Sequence, residues 1–229
     1  VQVSPVTKFH SGAGYQYEDS VIYGFTHTNK GHWNLCHIPL LPVTGTPTPG
    51  DYCSPFSHER ESAAPGYYQV FLDRYGVDAQ LSSTLRCAFH KYTYPAGAAA
   101  SLLADLQRSN EHVRAWDIRK EGDNVFAGWQ QTGEKMYFYA VANRPVTGIE
   151  PVVEGDREVR IVRFGEGDGA LELRIGFSFV SEKNARENLE AEMLGKSFAE
   201  VRSEATATWN DLLGRIRVEG GTEREKGLF

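Results

Sequence analysis

The sequence predicts a mainly β protein, an antiparallel β sandwich followed by a C-terminal helical linker. Short runs of alternating apolar residues, separated by glycine and proline turns, fill the first two thirds of the 229 residues. Helical periodicity is confined to the stretch after residue 180. With 41% hydrophobic residues, the chain can bury a substantial core. Many short strands at this spacing are typical of a sandwich.

The clearest strand signals are two apolar runs joined by the turn Arg74-Tyr75-Gly76. Apolar and polar residues alternate in residues 67–72, which gives one apolar face. In residues 77–89 the apolar side chains stay at odd-numbered positions, through Leu85 and Cys87. We interpret the two runs as an antiparallel hairpin with a single apolar face. Residues 38–41 form a further short apolar run, which predicts a buried strand.

Later strands are predicted from the same pattern at residues 113–119, 125–130, 135–142, 158–164 and 170–180. Residues 95–106 read as a turn followed by a strand or a short helix, and the sequence leaves both open. No internal repeat is visible. These strands complete the predicted sandwich.

Two helices are predicted after the strands. Ser181 can cap a first helix that ends at Gly195, and Ser197 with Glu200 forms a capping box for a second. The second helix has an apolar stripe at helical spacing, which comprises Val201, Ala205, Trp209, Leu212 and Ile216. A stripe at this period predicts that Trp209 is a core residue.

Charge and composition exclude some classes of partner. The chain has 24 Lys and Arg against 30 Asp and Glu, a net charge of -6, which argues against nucleic acid or an anionic membrane surface. No apolar run approaches the roughly 20 residues that span a bilayer, and residues 1–229 show no signal-peptide pattern. A neutral ligand such as a sugar is compatible with this charge.

Three cysteines, Cys36, Cys53 and Cys87, show no metal-binding spacing. We interpret them as small buried hydrophobes. One disulfide is the alternative, but nothing in their spacing favours a particular pair.

Residues 24–42 contain three of the seven histidines, a tryptophan and a cysteine. Trp33 on a loop can offer a flat apolar face to a sugar ring, and His32 and Asn29 can hydrogen-bond to its hydroxyls. From the residues alone, the alternative is that Trp33 covers an edge of the core. His27 and His37 read as structural residues. No carboxylate lies close enough in sequence to complete a metal site with His27, Asn29 and His32.

Residues 57–68 contain two close carboxylates, Glu59 and Glu61. A glycosidase acid and base must flank the scissile bond, roughly 6.5–9.5 Å apart in inverting enzymes, which a single strand rarely provides. We therefore interpret these charges as a salt-linked interface or as support for neighbouring site residues, for instance Glu59 with Arg86 or His90; a catalytic role is the less favoured alternative.

The same segments carry a family resemblance. The matching motifs are GFTHT, GHWNLC and IPLLP within residues 24–42, YCSPFSHERESAAPGYYQVFL at 52–72, LSSTLRCAFHKYTYP at 81–95, GFSFVS at 176–181, ARENLEAE at 185–192 and WNDLLGRI at 209–216. They resemble the amino-terminal domain of the glycoside hydrolase family 92 α-mannosidases. The resemblance covers nearly the whole chain.

The resemblance implies a supersandwich-like β domain at 1–180 without its first strands, a helical linker or brace at 181–216, and the start of a helical catalytic domain at 217–229. It also implies a calcium-dependent, inverting exo-α-mannosidase acting on α-1,2 or α-1,3 linkages of N-glycans or mannan. The calcium ligands, general acid and base would belong to the catalytic domain, so no catalytic or metal residue is assigned here. We expect this chain alone to be inactive.

In this family the loop with Trp33 reaches over the active site and helps form the leaving-group subsite. The resemblance therefore assigns Trp33, His32 and Asn29 to substrate binding. Asn29-Lys30-Gly31 stands where members commonly have a serine-glycine pair, so linkage preference does not transfer. The implied partners are a mannose-containing glycan and the helical domain of the same polypeptide. The implied location is secreted, periplasmic or at the cell surface. The alternative function is a non-catalytic carbohydrate-binding or structural sandwich.

Overall fold

The computed structural model describes residues 1–228. Its strands are β1 (Ser4–Val6), β2 (Val21–Ile22), β3 (Gly24–Thr26), β4 (Asn29–Lys30), β5 (Trp33–Asn34), β6 (Leu40–Val43), β7 (Ser54–Pro55), β8 (Glu61–Ala64), β9 (Tyr67–Leu72), β10 (Val77–Ser83), β11 (Cys87–Thr93), β12 (Ser101–Ala104), β13 (Ala115–Gly122), β14 (Val125–Gln131), β15 (Lys135–Ala142), β16 (Val146–Glu154), β17 (Arg157–Phe164) and β18 (Leu171–Ser178). The helices are α1 (Glu182–Met193), α2 (Phe198–Leu213) and α3 (Glu223–Leu228), and a single 3₁₀ turn spans His58–Arg60.

The strands form two large antiparallel sheets, which confirms the predicted sandwich. The six-stranded sheet has the order β1-β3-β6-β12-β17-β16, and the eight-stranded sheet has the order β13-β14-β15-β18-β11-β10-β9-β8. Two small hairpin-like pairs, β2 with β7 and β4 with β5, lie outside them. The inward side chains of both sheets meet in one core, which includes Leu41, Leu103 and Ile161 from the first sheet and Phe138 and Leu173 from the second.

The eight-stranded sheet is also covered on part of its outer face. A second apolar cluster joins Cys87 and Phe89 of β11 to Leu189 and Met193 of α1 and to Phe198 of α2. Both faces of these strands are therefore buried, as is usual where helices cover a sheet.

A glycine allows the first helix to approach the sheet. A Cβ added at Gly176 in β18 would lie 2.1 Å from the Ala185 carbonyl oxygen and 2.8 Å from Leu189 Cβ. The backbone of α1 therefore packs directly on β18, and no larger residue fits beneath it.

The predicted strand at 77–89 is wrong in one respect, because it is two strands. Leu85 lies in the intervening turn and is 79% exposed. In the pairing of β10 with β11, Leu81 faces His90, so inward positions change from odd to even numbers across the turn. Cys87 and Phe89 consequently face the helices rather than the sandwich core. The hairpin of β9 with β10, by contrast, is confirmed.

Other strand boundaries in the structure also differ from the predicted ones. The apolar run predicted as a strand at 38–41 becomes β6, because Ile38 has a positive φ of 53° and lies outside the strand. The undecided stretch at 95–106 contains strand β12. The edge strand β16 was not predicted, since its side chains are mostly exposed and show little apolar alternation.

The helix caps are confirmed. The Ser181 hydroxyl accepts from the Asn184 amide, and Ser197 and Glu200 form the predicted capping box. The core prediction for Trp209 is wrong in the described structure. Its side chain is 46% exposed. Along the stripe, Val201 is buried against the sheet, but the later positions extend beyond it.

All three cysteines are free thiols in this structure, and Cys36 and Cys87 are buried. Cys53 is only half-buried, so the prediction of three buried cysteines holds for two. None of the helices within residues 1–228 is both long and apolar enough to cross a membrane.

Candidate functional site

The three residues predicted to bind substrate lie together on one short hairpin. Strands β4 and β5 pair antiparallel, and Gly31 and His32 form the turn between them. Gly31 has a φ of 62°, as the first central position of a type II′ turn requires. We call residues 29–34 the site hairpin.

Trp33 faces solvent on the site hairpin. Its side chain is 53% exposed, and its ring centroid lies 5.6 Å from that of exposed His32. Trp33 belongs to none of the apolar clusters in the described residues. Asn29 is half-buried, and its Oδ1 has no hydrogen-bond partner within residues 1–228. An unpaired buried acceptor is costly, and a donor could reach this oxygen only if the site hairpin rearranged to uncover it.

The structure does not bring together the metal set that the sequence disfavoured. His27 is fully buried, with its Nε2 3.2 Å from His90 Nε2, whereas His32 is exposed on the turn. His90 Nδ1 in turn lies 2.6 Å from the Tyr92 hydroxyl. Burial lowers the pKa of His27 to about 3 and lowers that of His90 as well. Both rings are therefore neutral core residues, as predicted for His27.

Buried polar groups hold the base of the site hairpin. The Asn34 Oδ1 accepts from the Thr26 hydroxyl (3.2 Å) and from the Cys36 amide (2.8 Å). The Leu35 amide donates to the Thr28 carbonyl (3.0 Å), which closes the hairpin. The Asn34 Oδ1 thus has two donors, whereas its buried Nδ2 has no hydrogen-bond partner within residues 1–228.

The segment after the site hairpin has a strained backbone. Cys36 and Ile38 have φ values of 54° and 53°, a region that residues other than glycine rarely adopt and that is least favourable for β-branched Ile38. The Ile38 amide donates to the Gln130 Oε1 (2.8 Å), an atom of the opposite sheet. Such strain persists only where surrounding contacts enforce it, and it is often found at functional sites.

His37, between these two residues, carries a defined chain of hydrogen bonds. Its Nδ1 lies 2.9 Å from the Thr28 hydroxyl, and its Nε2 lies 3.1 Å from both Glu111 Oε2 and the Thr132 hydroxyl. Because the Glu111 carboxylate only accepts, Nε2 carries the proton and Nδ1 accepts from Thr28. Burial lowers the pKa of His37, so the ring is neutral at neutral pH.

The order Thr28, His37 and Glu111 has the geometry of a nucleophile, a base and an orienting acid. However, Thr28 is only 8% exposed and its hydroxyl faces the His37 ring. A substrate has no access to that oxygen. This series of hydrogen bonds therefore holds Thr28, which directly precedes the site hairpin. It is not a hydrolytic triad.

A groove of about 640 Å³ opens beside Glu111. Its lining mixes polar and apolar side chains and includes His10, Arg108, Glu111, His112, Arg114 and Trp116. Lys30 of the site hairpin lies close enough to contribute to the lowered pKa of Glu111, whose main cause is the hydrogen bond from Thr132. The groove and the site hairpin therefore occupy the same end of the sandwich.

The second charged motif is organised around Glu61. Its carboxylate accepts from the Tyr15 hydroxyl (3.0 Å), the Tyr68 hydroxyl (2.6 Å) and His58 Nδ1 (2.6 Å). The predicted pairing of Glu59 with Arg86 or His90 is wrong. Arg86 instead pairs with Glu192 of α1 (2.5 Å), and His90 lies in the core. The Glu61 carboxylate is fully engaged as a structural acceptor.

We predict that Glu61→Gln lowers the pKa of His58. His58 Nε2 donates to the Tyr17 carbonyl (2.7 Å) while Nδ1 donates to Glu61, and only the doubly protonated ring can donate twice. The hydrogen bond to Glu61 is the main cause that raises the pKa of His58. Its stabilising contribution is therefore complete below the unfolded value of about 6.5 and lost as pH rises through the raised value. NMR titration of the ring measures this, and an unchanged pKa would contradict it.

Known proteins similar to this chain belong to one class of enzyme. The chain is similar to an uncharacterized secreted glycosidase of Arthroderma benhamiae, with 23% identity over 96% of this chain and 35% of that protein. It is also similar to the structure of a family 92 α-mannosidase from Bacteroides thetaiotaomicron, with a TM-score of 0.87 and 25% identity over 96% of this chain and 35% of that one. Its relatives are thus glycoside hydrolases.

The family follows from the domain models. Residues 1–189 match the glycosyl hydrolase family 92 N-terminal domain, and residues 184–229 match the family 92 catalytic domain. The chain belongs to glycosyl hydrolase family 92, which confirms the resemblance in its sequence. A second structure from this family has a TM-score of 0.82 and 27% identity over 96% of this chain and 34% of its own. The chain spans about a third of the length of these relatives.

The sequence did not reveal every residue at this site. Residues 109–111 touch the site hairpin and its flanking segment through side chains that lie about 75 positions away in sequence. Their only local signal is a short polar loop, and such loops are common. Long-range pairing of this kind is visible only once the strands are placed.

Proposed function

We propose that this chain is the amino-terminal sandwich of a calcium-dependent, inverting exo-α-mannosidase. Its substrates would be α-1,2 or α-1,3 linkages of N-glycans or mannan. Trp33, with His32 and Asn29, would line the subsite for the leaving-group sugar. The observation that carries this proposal is Trp33, a large aromatic side chain that stands exposed on a hairpin whose base is rigidly hydrogen-bonded.

The chemistry of the site hairpin suits a neutral sugar. An exposed indole offers an apolar face to the C–H surface of a pyranose, while His32 and Asn29 can pair with its hydroxyls. The Bacteroides thetaiotaomicron α-mannosidase has also been solved with mannoimidazole, and that complex is similar to this chain with a TM-score of 0.84 and 25% identity over 96% of this chain and 34% of that one. That this relative binds mannoimidazole supports a sugar as the ligand in the proposal.

Calcium is part of the proposal, but the residues of this chain do not fit a calcium site. Residues 1–228 contain no group of three or more His, Cys, Asp or Glu side chains that could hold a metal ion. We therefore place the calcium ligands in the catalytic domain, whose family model begins to match at residue 184. In that position calcium would bind sugar hydroxyls and assist distortion of the ring.

The uncovered end of α2 supports a partner within the same polypeptide. Trp209, Leu212, Leu213 and Ile216 are large apolar side chains that remain exposed. Contiguous apolar surface of this kind marks a contact with another protein surface. We propose that the helical catalytic domain packs there. The proposed location is secreted, periplasmic or at the cell surface, in keeping with the secreted relative.

We predict that Trp33→Ala weakens binding of α-1,2-mannobiose by about five- to tenfold. An aromatic contact contributes on the order of 1 kcal/mol, and 1.4 kcal/mol is a factor of ten in affinity. Titration by NMR or calorimetry measures the dissociation constants. Trp209→Ala is the matched control, because Trp209 has similar exposure but lies on α2.

Two outcomes would count against the proposal. Equal affinity in the wild type and Trp33→Ala would remove Trp33 from the sugar site and favour the alternative, a carbohydrate-binding sandwich with its site elsewhere. Absence of binding at millimolar sugar would overturn a subsite formed by this chain's own surface.

A further inference from the structure

Three consecutive residues reach the site hairpin from the loop between β12 and β13. The Ser109 hydroxyl donates to the Leu35 carbonyl (2.8 Å), and the Asn110 side-chain amide donates to the Asn34 carbonyl (2.6 Å). Glu111 accepts from His37. Each residue of this loop therefore holds a different residue of the chain that leaves the site hairpin.

Asn110 has the largest share of these contacts. Besides Asn34, its Nδ2 donates to the Ser11 carbonyl (3.1 Å), and its Oδ1 accepts from the His10 amide (2.5 Å). Its own amide donates to the Leu35 carbonyl (3.0 Å). One side chain thus joins residues 10–11 to the strand that carries Trp33.

These contacts require an asparagine. The side chain must donate two hydrogen bonds to carbonyl oxygens and accept one from an amide, and among residues of this size only asparagine offers both. Aspartate has the same shape but no donor. An ionised aspartate would in addition face two carbonyl oxygens, which are themselves negatively polarised.

We propose that Asn110 is a positioning residue for the sugar subsite, which it maintains by fixing the strand that presents Trp33. The proposal rests on the proposed function for the role of Trp33, but the ordering effect itself does not require a sugar. Asn110 is half-buried and is not among the residues assigned to substrate contact. It acts through the backbone of Asn34.

The test is hydrogen exchange of Asn110→Asp, measured by mass spectrometry on the full 229-residue chain without ligand. We expect amides of residues 28–36 to exchange at least about tenfold faster, while amides of the sandwich core keep their wild-type rates. Asn143→Asp is the matched control. The Asn143 side chain likewise donates to a backbone carbonyl, that of Ala170 (3.0 Å), and accepts from a backbone amide, that of Glu172 (2.9 Å), where the end of β15 meets the start of β18.

The outcomes separate positioning from general stability. Unchanged exchange at residues 28–36 overturns the proposal. Faster exchange throughout the core also overturns it, because Asn110 would then be a global structural residue. Should Asn110→Asp fail to fold, Ser109→Ala removes one of the two bonds to the Leu35 carbonyl and leaves the other. It is expected to give a smaller increase in the same peptide, and no local increase overturns the proposal.

A sugar titration of the same variants distinguishes the two proposals. Asn110→Asp should weaken binding of α-1,2-mannobiose by about as much as Trp33→Ala, and the double variant should be no weaker than either alone. If neither variant alters sugar binding while local exchange is raised, the proposed function fails and the ordering role of Asn110 stands. If Trp33→Ala weakens binding and Asn110→Asp does not, the positioning role fails.

Discussion

Gly176→Ala is expected to destabilise the sandwich by about 3 kcal/mol or more. The new methyl group would lie 2.1 Å from the Ala185 carbonyl oxygen, which is backbone and cannot rotate away. Helix α1 would have to move off β18, and its buried contacts from Leu189 and Met193 would be lost with it. Overpacking alone costs about 1–3 kcal/mol, and loss of helix packing adds to it.

For a chain of this length, a loss of 3 kcal/mol corresponds to a fall of about 6–12 °C in the melting temperature. Urea unfolding and thermal denaturation both measure it. Gly148→Ala is the control, since Gly148 lies in edge strand β16 and a Cβ there would meet nothing within 4 Å. We expect that change to stay within about 0.5 kcal/mol. Similar stability for the two variants would show that α1 is not held on β18 as described.

Local signals in the sequence predicted local structure well. The alternation in residues 67–72 gave the strand, the Ser197 and Glu200 spacing gave a real capping box, and Gly195 stops α1 with a φ of 77°. Each depends on residues within a few positions of one another. Hydrophobic period and cap chemistry act over that range, so they are visible without tertiary contacts.

The predictions of which side chains face the core were wrong where burial depends on a second packed element, a helix over a sheet or a sheet over a helix. Cys87 and Phe89 are apolar because helices cover the outer face of β11, so apolar residues occupy both faces and parity no longer indicates the core. Trp209 shows the reverse case. Its stripe has the period of a core helix, but within the described structure the sheet covers only the first part of it. The helical spacing of apolar residues predicts that one face of the helix is apolar, but it does not identify the surface that covers that face.

The sequence predicted only those residues of the candidate site that are close to one another in the chain. Asn29, His32 and Trp33 are close in sequence, and a hairpin with Gly31 at its turn keeps them close in space. Ser109, Asn110 and Glu111 reach them only because β6 and β12 are neighbours in one sheet. Their contribution follows from strand order, which no local pattern specifies.

The carboxylates near the site hairpin also bear on catalysis by this chain. Of the residues that line the groove beside it, Glu111 is the one carboxylate. Hydrogen bonds from Thr132 and His37 lower the pKa of Glu111, so it is ionised at neutral pH and cannot serve as a general acid. An inverting glycosidase needs an acid and a base roughly 6.5–9.5 Å apart across the scissile bond. Glu111 alone cannot provide both groups.

We therefore predict that this chain alone releases no mannose from an aryl α-mannoside or from α-1,2-mannobiose, with or without added calcium. Glycosidases exceed the uncatalysed rate by factors on the order of a million or more, so even a small fraction of such activity is measurable. Glu111→Gln is the informative control. Turnover that is lost in this variant, or that a chelator abolishes and calcium restores, would contradict the prediction, because the chain would then contain its own catalytic group. Turnover that persists in the variant and resists the chelator would also contradict it, and would place the catalytic carboxylates elsewhere on the sandwich.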